Sequence, residues 1–292
     1  MSEDHLEDTS APLIEHLAEL RQRLIYSIIA FAICMILCFT VARPIFNFLA
    51  EPLARLLIAN GQEPDLIFTG LQQGFMTQIR ISLFGGFVLA FPVIGYQMWR
   101  FVAPGLYRQE KRAFLPFLLA SPLLFLTGAA FAYYIVLPLA FDFFLGFQQL
   151  GADLSPGGSL TAGAGSEETD LSVQFLGTIN EYLGLTMKFI IAFGLCFQLP
   201  VLLTLMGKAE LVSARGLADT RKYAVVGILV LAALVTPPDV ITQIILFVVV
   251  YGLYEVSILL VRMVERKREQ DLRAQGLWDD TAVAESAAKD SS

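Results

Sequence analysis

Three polar side chains lie within or beside long apolar runs, and each needs a chemical explanation. Gln198 lies in FGLCFQLPV, Gln243 lies in VITQIILFVVV, and Glu255 follows Gln243 by twelve residues. Such groups are costly to place in hydrocarbon and usually face the protein interior or water. We interpret all three as intramembrane polar groups or contacts for a partner helix, and two alternatives stay open: a helix–helix hydrogen bond for Gln198 and an interfacial position for Glu255. A twelve-residue offset turns a helix by about 120°, so Gln243 and Glu255 do not share a face.

Two acids outside the apolar runs, Glu19 and Glu110, stand among basic residues. Glu19 precedes Arg23 by one helical turn, and Glu110 is followed directly by Lys111 and Arg112. One interpretation is modest: an i,i+4 ion pair of roughly 0.2–0.5 kcal/mol for Glu19 and neutralisation of neighbouring charges for Glu110. The alternative interpretation makes both carboxylates acceptors for a cationic partner.

The remaining sequence offers no recognisable catalytic or nucleotide-binding motif. Both histidines, His5 and His16, precede the first apolar run, which excludes a histidine site within the membrane. Cys34 and Cys38 share a helix face, so a metal pair is conceivable, but cysteines in apolar runs are usually small buried hydrophobes. No basic patch interleaved with aromatic residues suggests nucleic acid binding. We therefore predict a protein that is not an enzyme and has no cofactor or metal.

The composition indicates that lipid surrounds most of the chain. Apolar residues make up 56% of the sequence and charged residues 16%, against about 45–50% and 25% in soluble domains. A transmembrane helix needs about 20 apolar residues. Four runs approach or exceed that length, at residues 24–41, 81–99, 113–141 and 189–207. Two shorter runs cover residues 223–236 and 240–254, the last reaching 261 if Glu255 is tolerated. We predict an all-α polytopic membrane protein with six transmembrane helices, the last two short.

The positions of lysine and arginine predict that both termini are cytoplasmic. Sixteen of the 20 basic residues fall in the two tails and in the loops after the second and fourth runs, and basic loops stay on the cytoplasmic side. Pro237-Pro238-Asp239 leaves almost no loop between the last two runs, which predicts a tight hairpin. If both short helices cross, the bilayer around them must thin.

The chain is predicted to divide into three parts. Residues 1–23 form a cytoplasmic tail, in which an apolar stripe over residues 13–24 predicts an amphipathic helix lying on the membrane surface. Residues 24–262 form the transmembrane domain, with long outer loops at 42–79 and 142–187; a short interfacial helix is predicted at 45–58. Residues 263–292 are predicted to be a disordered cytoplasmic tail. No internal repeat is visible, which weakens the alternative of a secondary transporter or channel for small solutes.

Several short motifs together resemble one known family. They are PLIEHLAELRQRL near the N-terminus, EPL in the first outer loop, FPVIGYQMWRFVAPGLYRQEKR after the second run, FAYYIVLPLAF, FQLPV and LVTPPDVITQ. They follow the family's order from Pro12 to about Arg268. On these motifs the chain resembles the TatC family, the receptor subunits of the twin-arginine protein translocase.

The resemblance implies a function and a set of partners. It implies a multi-pass protein of the bacterial cytoplasmic (inner) membrane that binds signal peptides bearing consecutive arginines. As a core subunit it would export folded proteins by using the proton motive force. It further implies TatA and TatB as partner subunits, an oligomer with TatB, and a docking face on the run at 223–236.

The resemblance also assigns roles to individual residues. It carries the family's recognition acids onto Glu19 and Glu110 and places three further residues in the same patch, namely Arg21, Phe101 and Arg112. The matched motifs mark four residues as structural, namely Pro52, Pro237, Pro238 and Asp239. Family members often have a glutamate where this chain has Gln198. A neutral amide cannot bind or release a proton, so a hydrogen-bonding role is expected there.

Overall fold

The computed structural model describes residues 4–61, 63–102, 111–153, 177–236 and 240–274, and side chains within 17–61, 63–101, 118–146, 177–236, 240–271 and 273–274. These residues are mostly helical. Five stretches are long and apolar enough to cross a membrane, at Leu17–Thr40, Gln73–Phe101, Leu118–Gly146, Ile179–Lys208 and Val240–Asp271. They overlap the first four predicted spans and the sixth, in agreement with a helical membrane protein.

Helix α1 runs without a break from Asp4 to Thr40. The prediction that a surface helix ends and a separate span begins near residue 24 is therefore wrong, because one helix covers both. Residues 13–40 contain neither glycine nor proline, so nothing in the sequence ends the first helix before the apolar run begins. At 1.5 Å per residue α1 is about 55 Å long, well beyond an apolar layer of about 30 Å.

The segments predicted as long outer loops contain substantial helix. Helix α2, Ala42–Ala59, covers the short helix predicted at 45–58, and α3, Gln73–Val102, begins before residue 79. Helices α5, Leu137–Asp153, and α6, Ile179–Cys196, take in both ends of the predicted loop at 142–187. The helices therefore extend past the ends of the uncharged runs from which the spans were predicted. Strands β1, Leu66–Ile67, and β2, Gly177–Thr178, join the two segments as a short parallel pair.

The third span is a helix with one turn of wider winding. Helix α4, Lys111–Phe131, leads into a π-helical turn, Ala132–Val136, and then into α5. Pro138, the second residue of α5, has no N–H to bond the Tyr134 carbonyl four residues earlier. The turn directs Tyr133 into the core, whereas Tyr134 is exposed.

The fourth span is divided by a short turn. Helix α6 ends at Cys196, and α7, Leu199–Lys208, begins after Phe197 and Gln198. Pro200 lies in the first turn of α7, where its missing N–H is tolerated. The division therefore brings Gln198 to a helix junction inside the apolar run.

The last helices differ in length from the predicted spans. A short helix α8, Ala214–Asp219, precedes α9, Arg221–Val235, whose 15 residues correspond to the predicted fifth span. Helix α10, Val240–Ala274, has 35 residues, more than the 15 to 22 predicted, because it continues into the charged segment. Residues 263–274, expected to be disordered, are helical. The remainder of that tail and Pro237, Pro238 and Asp239 lie outside the described residues.

Glycines allow the closest helix contacts in the bundle. A Cβ at Gly86 of α3 would lie 2.7 Å from the Met35 Cα of α1, and a Cβ at Gly128 would lie 2.6 Å from the Phe193 carbonyl oxygen. Any side chain at either position would push the helices apart. The three largest fully buried side chains among the described residues are phenylalanines, namely Phe125, Phe189 and Phe193. In contrast, most of the apolar surface of α1 is exposed, as expected for a lipid-facing helix.

Candidate functional site

Three polar side chains connect α1 to α3 where α1 enters the bundle and α3 ends. Arg23 donates from Nη2 to Glu19 Oε1 at 2.9 Å and from Nη1 to Gln97 Oε1 at 3.2 Å. The Arg23 side chain is 17% exposed and the Glu19 side chain 31%. The ion pair predicted between Glu19 and Arg23 is therefore present, with the carboxylate nearer to solvent than the guanidinium. Sequence reasoning missed Gln97 because its partner lies 74 positions away.

A shallow, open depression on the surface of α1 lies beside this carboxylate, and we call it the groove. The described residues that line it all belong to α1, namely Ala18, Glu19, Arg21, Gln22 and Ile25. Within the described contacts, Glu19 uses Oε1 only. A carboxylate can accept about four hydrogen bonds, so Glu19 retains acceptor capacity beside the groove.

The other residues predicted for the same patch are described unequally. Phe101 lies in the last turn of α3, one turn beyond Gln97, and is half-buried. Arg112 belongs to the first turn of α4, but its side chain lies outside the described set, and Glu110 lies outside the described residues altogether. The structure thus brings Glu19 and Arg21 to one groove, and the contributions of Glu110 and Arg112 stay predictions.

Gln198 makes a reciprocal pair of hydrogen bonds with Ser121 of α4. The Ser121 hydroxyl donates to Gln198 Oε1 at 2.7 Å, and Gln198 Nε2 donates to the Ser121 carbonyl at 2.8 Å. Gln198 is only 8% exposed. This is the helix–helix hydrogen bond of the first interpretation, formed within the chain. Sequence reasoning missed Ser121, a single hydroxyl in an apolar run that gives no signal by itself.

Glu255 is paired along its whole carboxylate. Arg221, at the start of α9, donates from Nε to Oε1 at 2.7 Å and from Nη2 to Oε2 at 2.8 Å. The hydrogen bonds that Arg221 donates to Glu255 raise the pKa of Arg221 above its ordinary value. They also tie α9 to α10. Gln243 is a partly exposed residue of α10, twelve positions before Glu255.

The proline marked as structural in α2 has an identifiable hydrogen-bonding partner. Pro52 has no N–H for the carbonyl of Phe48, four residues earlier in the helix. The Tyr133 hydroxyl donates to that carbonyl at 2.6 Å, and the Tyr182 hydroxyl donates to the Leu49 carbonyl at 2.6 Å. Tyr133 of the π-helical turn thus supplies the donor that Pro52 lacks, and Tyr182 of α6 bonds the neighbouring carbonyl of Leu49.

Metal binding finds no support in the part of the chain that the structure describes. No three histidine, cysteine, aspartate or glutamate side chains there lie close enough to hold an ion. Cys34 and Cys38 are free thiols on one face of α1, and Cys38 is buried. Its sulfur lies against Gly85 of α3, consistent with a small packing residue.

Sequence comparison relates nearly the whole chain to one family. A model of the family described as Sec-independent protein translocase protein (TatC) matches residues 15–248. The Sec-independent protein translocase protein TatC of Magnetococcus marinus is 45% identical over 272 residues, 93% of this chain and 92% of that protein. The protein of the same name from Escherichia coli K12 is 36% identical over 253 residues, 87% of this chain and 88% of that protein.

The fold agrees with the sequence relationship. A crystal structure described as the twin-arginine translocase receptor TatC matches with a TM-score of 0.70 and 40% identity, covering 86% of this chain and 99% of that one. With five stretches able to span a membrane, the chain is a multi-pass membrane protein. It belongs to the TatC family of Sec-independent protein translocase proteins.

Proposed function

We propose that this chain is the signal-peptide receptor and core subunit of a twin-arginine translocase, and that Glu19 accepts one of the two signal arginines. The observation that carries the proposal is a partly exposed carboxylate, bonded through one oxygen among the described contacts, beside an open groove in a TatC-family chain. Function therefore rests on binding rather than on catalysis.

The chemistry of arginine suits this site. A guanidinium presents planar, paired donors that match a carboxylate, whereas a lysine ammonium is a compact point charge that cannot reproduce the geometry. Two consecutive arginines need two acceptors. Glu110 would supply the second from the segment between α3 and α4, with Phe101 and Arg112 beside it and Arg21 at the groove.

A six-span topology with both termini in the cytoplasm places this site on the side from which precursors arrive. Helix α9 would be the additional span; its 15 residues extend about 22 Å, less than an unperturbed apolar layer. Local thinning of the bilayer around α9 would let it cross. Single cysteines introduced at Ser159 and Ser291 should react with an impermeant maleimide from opposite sides of the membrane.

The partners proposed are TatA and TatB, with the exposed α9 as their docking face and with TatB in a shared oligomer. Several apolar side chains of α9 are exposed, including Val226 and Val230. Export would draw on the proton motive force through the assembled translocase in the bacterial inner membrane. Gln243, a partly exposed residue of α10, would offer a neutral hydrogen bond to a partner helix, whereas Gln198 is already bonded to Ser121 within the chain.

The experiment is capture of a twin-arginine precursor by the full chain in nanodiscs. The receptor should retain a folded precursor with an Arg-Arg signal and release the same precursor with Lys-Lys. Equal retention of both precursors, or of neither, would contradict the proposal. A small-solute transporter would retain neither.

A further inference from the structure

We infer that Arg23 and Gln97 are positioning residues for Glu19, forming a strut from α3 that fixes one carboxylate oxygen and presents the other to a signal arginine. The inference rests on the proposed function, because it needs Glu19 to be an arginine acceptor. Its basis is the continuous path from the Gln97 amide oxygen through the Arg23 guanidinium to Glu19 Oε1.

The strut exists because α1 and α3 run antiparallel and meet at a glycine. Gly86 brings the α3 backbone against Met35, where even a Cβ would lie 2.7 Å away. Arg23 precedes Met35 by 12 residues, and Gln97 follows Gly86 by 11. At 1.5 Å per residue both lie about 17–18 Å from the contact. The glycine contact therefore sets the register that places Arg23 level with Gln97.

Burial indicates that Arg23 stays in place when another cation arrives. Arg23 is the more buried partner of the pair, at 17% exposure against 31% for Glu19. If Arg23 lost its ion pair with Glu19, its guanidinium would retain only the hydrogen bond to the amide oxygen of Gln97 among the described contacts. Leaving a semi-buried charge without its counter-ion is strongly unfavourable. A cation in the groove therefore meets the outer side of Glu19 with Arg23 behind it.

Arg23 has two opposing effects on a bound signal arginine. It repels the second guanidinium, by roughly threefold in affinity at a separation of about 6 Å in water and by more where the protein lowers the effective dielectric constant. It also fixes the glutamate side chain beforehand, and the rotamer entropy of a free glutamate corresponds to roughly tenfold or more. The inference requires the second effect to be the larger, so that Arg23 strengthens binding.

The test is a double-mutant cycle in full-length protein reconstituted in nanodiscs at fixed salt. The probe is a labelled synthetic signal peptide with two consecutive arginines. Arg23→Gln should weaken binding about fivefold, and Gln97→Leu, which keeps both charges, about twofold. In a Glu19→Ala background neither substitution should weaken binding, because positioning residues act only through the residue that they position. Arg23→Gln should there leave affinity unchanged or tighten it slightly, because it removes the repulsion.

The matched control is Arg273→Gln, which breaks another i,i+4 pair of the same 2.9 Å length, with Glu269 on α10, and should leave affinity unchanged.

If Glu19→Ala leaves affinity at the wild-type level, Glu19 is no acceptor, and the site proposed above fails together with the strut. If Glu19→Ala weakens binding but Arg23→Gln and Gln97→Leu do not, the strut alone is wrong. Tighter binding by Arg23→Gln would make Arg23 a competitor and overturn the inference. An equal loss with and without Glu19 would also overturn it.

Discussion

Glu19 and Glu255 both pair with an arginine, but the chain uses their carboxylates to different extents. Glu255 bonds Arg221 through both oxygens and links α9 to α10. Glu19 bonds Arg23 through Oε1 and lies beside an open groove. Both glutamates thus pair with an arginine, but Glu255 uses its whole carboxylate in a contact between helices, whereas Glu19 retains the capacity to accept further hydrogen bonds.

The comparison extends to other polar groups of the bundle. Gln198 is engaged by Ser121, and the carbonyl freed by Pro52 is engaged by Tyr133. These contacts are satisfied inside the chain, as buried polar groups generally are. A polar group beside a groove with acceptor capacity to spare is therefore better evidence for binding than a polar group in an apolar run.

The largest expected difference is between alanine substitutions of the two glutamates. Glu19→Ala should abolish export of a twin-arginine reporter in cells, because the arginine acceptor is lost. Glu255→Ala should lower the melting temperature of the purified protein and leave Arg-Arg peptide affinity unchanged. Export rates and peptide titrations of both variants compare the binding role of Glu19 with the structural role of Glu255. A peptide-binding defect in Glu255→Ala alone would contradict this assignment of roles.

The buried pair of Gln198 and Ser121 should govern stability. Gln198→Leu leaves the Ser121 hydroxyl without this partner and should cost about 1–3 kcal/mol. Gln198→Glu should be tolerated, because a buried carboxyl stays protonated and can both donate and accept in the same geometry. Thermal unfolding in detergent, with Ser121→Ala as the matched variant, tests this. Loss of export in the glutamate variant with a stable, active leucine variant would show that the pair is not a neutral structural contact.

The contact between Tyr133 and α2 should depend on the proline that creates it. Tyr133→Phe keeps the stacked ring against Phe48 but removes the hydroxyl, and should cost about 1–2 kcal/mol. With Pro52→Ala, residue 52 regains an N–H for the Phe48 carbonyl, so the same tyrosine change should cost less. Unfolding of the four proteins gives the coupling. Strictly additive effects would mean that the tyrosine hydroxyl does not compensate for the proline.

Apolar runs located most of the spans, because length and hydropathy are local properties of the sequence. The same local reasoning placed a surface helix before residue 24, where no glycine or proline ends α1, and underestimated α10. Local reasoning could not predict the hydrogen-bonding partners Gln97, Ser121 and Arg221, because each contact depends on the register between helices distant in sequence. Glu19 was identifiable as a candidate from its motif, but its acceptor capacity beside the groove required the structure.

The smallest effect is expected at Glu210, a residue that belongs to the closed contacts between α7 and α10. Glu210 adopts a left-handed φ of 61° after α7 and pairs with Arg268. Glu210→Gly relieves roughly 1 kcal/mol of backbone strain and loses an exposed pair worth about 0–1 kcal/mol. The melting temperature should therefore change by no more than about 2 °C. Glu210→Ala keeps the strain and should destabilise; equal destabilisation by both changes would show that the ion pair dominates.

The most direct test of the central claim is a titration of Arg-Arg and Lys-Lys signal peptides against four proteins in nanodiscs at fixed salt. The proteins are wild type, Glu19→Ala, Glu110→Ala and the double variant. Removing a charge-assisted partner should cost about 2–5 kcal/mol, so each single variant should lose roughly 30-fold or more for Arg-Arg and little for the already weak Lys-Lys. If the double variant binds Arg-Arg at wild-type strength, the arginine acceptor lies elsewhere in the chain.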